Sequence, residues 1–332
     1  MRILLWHVHG SWTTAFVQGG HEYVVPVTPA RDADGLGRAR TWTWPANVVE
    51  VAPEALRGMD LDAVVLQRPH ELDLVRSWAG RVPGGDLPAV YLEHNTPEGE
   101  VPRTVHPMAD QGAIPVVHVT HFNRLMWDCG SAPTQVVEHG VVDPGYRYSG
   151  TVPRAAVAVN DPIRRGRFVG TDLLAALSRS VPLDVFGMRV TGLAGPDDVP
   201  LAVRTFEDLP QHQLHIELSR RRVYLHTTRW TSLGLSLIEA MMLGLPVVAL
   251  GTTEVHRAVP PDAGFVSCDP DDLAAALRLL VHEPALARQT GMSAREAALA
   301  RYGLTRFLHE WDAVLGAVTT DAARPEHRTG TG

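Results

Sequence analysis

Apolar positions recur along this chain in short, β-branched runs separated by polar text with glycine or proline. In the first half the runs are ILLWHV, EYVVPV, NVVEV, DAVVLQ, AVYLEH, PVVHVT and TQVVEH. Most are apolar at successive positions rather than at alternate ones, the pattern of a parallel strand covered on both faces. Short helical patterns lie between them, for example Glu71 to Trp78 and His121 to Trp127. In the second half AAVAVN, LDVFGM, VYLHTT, PVVAL and GFVS alternate with helical patterns at about 170–179, 211–221, 234–243, 271–282 and 284–300. Strands alternating with helices predict parallel sheets wrapped by crossover helices. A last amphipathic helix is predicted from Tyr302 to about Val318, because Leu304, Phe307, Leu308, Trp311 and Leu315 recur at helical spacing.

The segment from Arg31 to Pro45 has no clean period and reads as a loop. The text GYRYSGTVPR separates the two series of strands, which places a domain boundary near residue 150. The expected organisation is an N-terminal domain over 1–150, a second domain over 151–318 that includes the last helix, and a mobile polar tail over 319–332. The fold class is α/β, with two Rossmann-like doubly wound domains. Such sheets bind ligands at the carboxyl ends of their strands, so the expected site is a cleft that both domains face.

A chain of 332 residues has room for two cores, and 45% hydrophobic with 20% charged residues is ordinary globular composition. A net charge of −7 lacks the field that binding to a polyanion needs, so no nucleic-acid partner is expected. All 30 basic residues are Arg, which lowers the meaning of any single one. Cys129 and Cys268 are far apart and have no CxxC partner, so neither a disulfide framework nor a thiolate zinc knuckle is expected. The N-terminal run MRILLWHVHG is too short for an export signal, and no run approaches the ~18–20 apolar residues of a spanning helix. These points give a cytoplasmic expectation. Arg38, Arg40, Trp42 and Trp44 could touch a lipid surface, but the segment is short and has acidic neighbours, so membrane association is not expected.

The candidate chemistry starts from what is missing. The turn after the first strand, HVHGSWTT, has one glycine and not the G-x-G-x-x-G of a dinucleotide site, and the chain has no P-loop. The pairs His7/His9 and His118/His121 have no third ligand at metal spacing, so no metal site is expected. The informative stretch is His226 to Leu250, HTTRWTSLGLSLIEAMMLGLPVVAL. It reads as strand, loop, helix, turn and strand. Gly234 would let a ligand approach the backbone, and the free N–H groups of the helix start suit a diphosphate. Glu239, one turn further on, could accept two hydrogen bonds from a ribose diol.

This stretch resembles the nucleotide-sugar site of the retaining GT-B glycosyltransferases of family four, whose usual text is E-G-F-G-L-x-x-x-E-A-x-x-x-G-x-P-V-V. The matching positions are Gly234, Leu235, Glu239, Ala240, Gly244, Pro246, Val247 and Val248. The resemblance implies that Glu239 binds the nucleotide ribose and that backbone from Leu233 to Leu235 binds the β-phosphate. The cluster Arg164, Arg165 and Arg167, with Arg165 as the candidate phosphate ligand, could serve in place of the family's pair to offset the diphosphate charge, since guanidinium forks match phosphate oxygens. The family's own Arg–Lys pair falls on Phe168 and Val169. In the first half it implies that Gly10 faces the donor diphosphate and that the His94 ring contacts the donor sugar near the reacting carbon. The text EHGVVDPG resembles the family's I-P-N-G-V-D and places His139 and Gly140 near the cleft. Glu254 falls in a loop that meets the cleft wall. The family's first Glu falls on Thr231, so a hydroxyl stands where a carboxylate would touch the donor sugar.

The activity implied is transfer of a sugar from a nucleoside diphosphate donor to an acceptor, with retention of configuration. Neither a metal nor a cofactor is implied, the nucleotide sugar being a substrate. Trp12, Trp42 and Trp44 in the first half are candidate acceptor contacts, since aromatic faces stack on sugar rings and planar aglycones. The run Arg220 to Arg222 is explained as charge placed at a helix C-terminus. Two further classes stay open: a nucleotide-sugar epimerase of the same fold, and a non-catalytic GT-B-like binding protein, which Thr231 and the missing Lys motivate. Donor sugar, base, acceptor and oligomeric state do not follow from these motifs.

Overall fold

The computed structural model of the protein describes residues 1–40, 42–193 and 203–322. The chain divides into two units: Met1–Gly140 together with the chain from Leu304 onward, and Val141–Gly303.

Unit 1 contains strands β1 (Arg2–Leu5), β2 (Glu22–Pro26), β3 (Val48–Val51), β4 (Ala63–Leu66), β5 (Ala89–Glu93), β6 (Val116–His118) and β7 (Thr134–Val136). Its helices are α1 (Gly10–Phe16), α2 (Glu71–Trp78) and α3 (His121–Met126). The strands form one sheet in the order β3-β2-β1-β4-β5-β6-β7, and every pairing is parallel. Leu4 in β1 registers with Val24 in β2 on one side and with Val64 in β4 on the other. All three are fully buried, as continuous apolar runs predict for central parallel strands. The order reverses between β1 and β4, so the ends of these two strands open a crevice at the carboxyl edge.

Unit 2 repeats the topology. It contains β8 (Val152–Ala158), β9 (Leu183–Gly187), β10 (Val203–Glu207), β11 (Arg221–His226), β12 (Val247–Leu250) and β13 (Gly264–Ser267). Its helices are α4 (Pro162–Arg165), α5 (Thr171–Leu177), α6 (Gln211–Arg220), α7 (Leu235–Leu243), α8 (Val255–Ala258), α9 (Pro270–His282) and α10 (Pro284–Tyr302). The sheet order is β10-β9-β8-β11-β12-β13, again all parallel, and it reverses between β8 and β11. Both units are therefore Rossmann-like, as expected. β10 was not anticipated: VRTFE is an edge strand with every residue partly exposed or exposed, so it lacks an apolar run.

The boundaries differ from the expected ones at both ends of unit 2. Residues 141–150 belong to unit 2: Val141 donates its N–H to Tyr302, Arg147 and Tyr148 donate to Leu243, and Ser149 donates to Ser219. Tyr148 is buried in that core. The last helix, α11 (Leu304–Ala322), belongs to unit 1. Trp311 packs at 5.1–5.4 Å from the rings of Phe16 and Trp12, and Phe307 meets Trp12 at 6.1 Å. Burying these large rings on α1 outweighs continuity with α10. Residues 319–322 continue this helix, and 323–332 lie outside the described residues. Among the described residues no helix is long and apolar enough to cross a membrane.

Candidate functional site

In unit 2 the carboxyl edge at the β8/β11 switch is built by two connections fastened to each other. The turn after β8 carries α4, and the loop after β11 leads into α7. Arg229 and Trp230 both donate their backbone N–H to Phe168 O, at 2.8 and 3.2 Å. Thr227 Oγ1 donates to Val169 O, and the Arg229 guanidinium forks onto Asp172 at 2.5 and 2.9 Å. This bidentate pair holds the loop in one position.

The loop delivers α7 with its N-terminus uncapped: Gly234 has no capping side chain, and the first turn has no acid. Among the described residues, the N–H groups of Leu233, Gly234, Leu235 and Ser236 have no acceptor. Four unpaired donors at a helix start, with the helix dipole behind them, suit an anion. Gly234 also allows a close approach, because a Cβ there would lie 2.8 Å from Cε1 of the His226 ring. His226 is buried, which lowers it to about 4, and its Nε2 is unpartnered. It is a neutral ring beneath the helix start.

Glu239 lies on the second turn of α7 and is 6% exposed. Its partners come from α6: His215 Nε2 at 3.3 Å from Oε2, and Gln211 Nε2 donating at 3.5 Å to Oε1. Both contacts are long, and no Arg pairs with it among the described residues. A buried carboxylate held this loosely keeps acceptor capacity for further donors.

Within the arginine cluster, Arg164 is paired with Asp161 and Arg167 with Asp172. Arg165 is half-buried and has no partner among the described residues, and burial with Arg164 nearby lowers its pKa. Of the three, it alone has an unspent charge. Thr231 is partly exposed in the loop two residues before Leu233, whose side chain is in the core. Glu254 is buried and ion-paired with Arg257 and Arg301, a structural bolt within unit 2. Arg221 caps the C-terminus of α6, where the run is expected, and donates to Glu217 O, but its charge is also used in the core. It is buried, pairs with Asp184 beside Arg154, and lies about 5 Å from the Phe186 and Phe206 rings.

In unit 1 the carboxyl edge at the β1/β4 switch is lined by rings. His94, just after β5, is 7% exposed; its ring lies 3.9 Å from His9 and meets the Trp12 edge at 5.3 Å. Burial, with His9 and His139 nearby, holds His94 well below its ordinary value. Burial also lowers His9 to about 4, with Arg68 contributing, and His139 to about 3, with His9 and Arg306 contributing. Both ring nitrogens of His139 are buried without a partner. Gly140 faces Phe307, which a Cβ would approach within 2.3 Å.

At Gly10, expected to face a diphosphate, the neighbour is a protein ring: a Cβ there would lie 2.4 Å from Trp42 Cη2. Two of the three acceptor candidates are corrected. Trp12 is fully buried against Phe16 and Trp311, and Trp44 is 5% exposed with its indole N–H on Thr14 Oγ1 at 2.8 Å. Their faces are spent on packing. Trp42 alone is partly exposed. Among the described residues no group of three or more His, Cys, Asp or Glu is arranged to hold a metal ion.

Residues 199–297 match the family model described as "Glycosyl transferases group 1". Over this stretch the chain is similar to that family. The group 1 stretch contains Thr231, Gly234 and Glu239 and begins after Arg165. No curated protein matches the chain. Among solved structures, a sucrose-phosphate synthase from Thermosynechococcus elongatus matches at TM-score 0.71 and 14% identity, covering 97% of this chain and 100% of that one. HepE from Anabaena, in complex with UDP, matches at 0.68 and 15%, covering 96% and 100%. A glycosyltransferase from Rickettsia africae matches at 0.66 and 13%, covering 96% and 98%. At these identities the likeness is one of fold, and the fold is GT-B.

The residues that sequence reasoning missed are second-layer partners. Gln67, His215 and Gln211 hold His94 and Glu239 but stand in no motif.

Proposed function

We propose that the protein is a glycosyltransferase that moves a sugar from a nucleoside diphosphate donor to an acceptor, with retention and without a metal. The observation that carries this reading is the α7 start: an uncapped helix N-terminus followed, on its second turn, by a buried and loosely held carboxylate, Glu239, inside the group 1 stretch. In this reading N–H groups from Leu233 to Leu235 and the unspent Arg165 stabilise the charge that develops on the leaving diphosphate. Glu239 accepts two ribose hydroxyls. His94 and Gly10 meet the donor sugar and diphosphate, and the Thr231 hydroxyl replaces a carboxylate toward the sugar. The acceptor hydroxyl attacks from the face the diphosphate leaves, and a diphosphate oxygen takes its proton.

The test is a thermal-shift and calorimetric screen against UDP, GDP, dTDP, ADP and their common sugars, with and without EDTA. A ligand at 100 times its dissociation constant adds about 2.7 kcal/mol of stability. Glu239→Gln should then weaken the nucleotide by about 1.5–3 kcal/mol, the worth of hydrogen bonds to a charged group. Unchanged affinity in that variant removes Glu239 from the site. Thr231 favours a second reading, a non-catalytic nucleotide-binding relative, which predicts binding in the screen without transfer or hydrolysis of any donor.

A further inference from the structure

Gln67 follows β4 at the switch point of unit 1, and its side chain joins two neighbours in a directed chain. Its Nε2 lies 2.7 Å from the Trp6 carbonyl oxygen. A carbonyl oxygen only accepts, so the amide nitrogen must face it, which decides the orientation of the whole amide. Its Oε1 then faces His94 Nε2 at 3.1 Å. That oxygen also only accepts, so the proton of the imidazole must be on Nε2. Gln67 is itself clamped: it is 5% exposed, and its backbone N–H donates to the buried Glu71 carboxylate at 2.6 Å. The His94 ring is in turn held by the His9 ring at 3.9 Å and the Trp12 edge at 5.3 Å. Being neutral, the ring has only one proton, and Nδ1 keeps a lone pair. Among the described residues the ring's hydrogen bond is the one at Nε2, and none is made at Nδ1.

We infer that Gln67 is a positioning residue that locks His94 as its Nε2–H tautomer, so that Nδ1 acts only as an acceptor and the ligand group it meets is a hydroxyl that donates. The inference about the ligand rests on the proposed function. The lock itself rests on the hydrogen-bond geometry around Gln67 and on the ring being buried and neutral.

Two measurements test it. The first is ¹⁵N spectroscopy of the full chain labelled at histidine, at neutral pH without ligand, with the His94 signal assigned by its loss in His94→Asn. The expected pattern has the proton on Nε2 and a bare Nδ1. Gln67→Met, of similar volume, should convert this signal into a mixture of tautomers while the melting temperature confirms folding. A wild-type proton on Nδ1, or a tautomer unmoved by Gln67→Met, overturns the lock.

The second measurement compares a nucleoside diphosphate with its sugar, taken from the screen above. Gln67→Met should weaken the nucleotide sugar about three- to tenfold, one neutral hydrogen bond, and leave the bare nucleotide within about twofold. Equal losses for the two ligands mean a merely structural role and overturn the inference. If His94→Ala discriminates between them no less than the wild type does, the reading of His94 as a sugar contact fails while the spectroscopic result stands. If no nucleotide sugar binds, the hydroxyl assignment falls with the proposed function, and the tautomer measurement still decides the lock.

Discussion

At the carboxyl edge of the unit 1 sheet the side chains are imidazole and indole rings: His9, His94, His139, Trp12 and Trp42. At the same edge of unit 2 they are a guanidinium, a carboxylate and unpaired backbone N–H groups. The two sheets share their strand order as far as the sixth strand, so topology did not choose this chemistry. The connecting loops did. The contrast extends inward, where unit 1 closes over α11 with stacked and edge-on aromatic rings, and unit 2 buries the pairs of Asp184 with Arg154 and Arg221. The histidine rings at the unit 1 edge are neutral by burial, while the buried charges of the unit 2 core are paired.

The largest expected effect is on the ionic core. Asp184→Ala removes the carboxylate that two buried guanidinium groups share, Arg221 keeping Glu217, and should cost about 3–5 kcal/mol in urea unfolding. A loss below about 1 kcal/mol, the size of a surface pair, would put the cohesion of unit 2 in its apolar contacts alone.

The next effect separates the arginines of the second unit. Arg165→Ala should weaken nucleotide binding by about 1.5–3 kcal/mol, while Arg167→Ala, whose charge is already held by Asp172, should change it little. Equal losses in calorimetry would mean that the free charge of Arg165 has no special part.

A pH series probes the neutral rings of unit 1. His9, His94 and His139 have lowered values in the fold, so between about 6.5 and 4 the unfolded chain binds protons that the folded chain refuses. Stability is thus complete above about pH 6.5 and declines as pH falls toward the folded values. Each histidine contributes a slope of about 1.4 kcal/mol per pH unit in that window. His139→Asn should remove one histidine's share of the slope in denaturant titrations at pH 7 and pH 5. A flat profile would contradict the neutral-ring description.

The smallest effect belongs to Trp42, which covers Gly10 yet stays partly exposed. Trp42→Ala should cost less than about 2 kcal/mol of stability, well under the ~3–5 of a core Trp. A full core-sized loss would make Trp42 part of the fold rather than a surface over the glycine turn.

Much of this was legible in advance. The strands of both sheets follow from doubly buried apolar runs, and the Gly234 to Val248 spacing pointed to the α7 start and Glu239. Arg165 was singled out of a charge run, and its unpaired state separates it from Arg164 and Arg167. The missed features have no local signal. VRTFE is an edge strand, and an edge strand needs no apolar pattern. The assignment of α11 to unit 1 depends on Trp12 and Phe16, nearly three hundred residues away in sequence. The amphipathic face of α11 was readable, but the surface that covers it was not.

The sequence by itself determined the class of the fold, the order of its elements and the stretch that carries the group 1 signature, because periodicity and motif spacing are local properties of the chain. Only the tertiary structure decided which Trp faces remain available, which Arg is left unpaired and which nitrogen of His94 bears the proton. The clearest cases depend on a partner brought close by folding: Thr14 for Trp44, Asp172 for Arg229, Gln67 for His94. A hydrogen bond or an ion pair is a relation between two groups, and sequence spacing does not report a distance between groups on different strands.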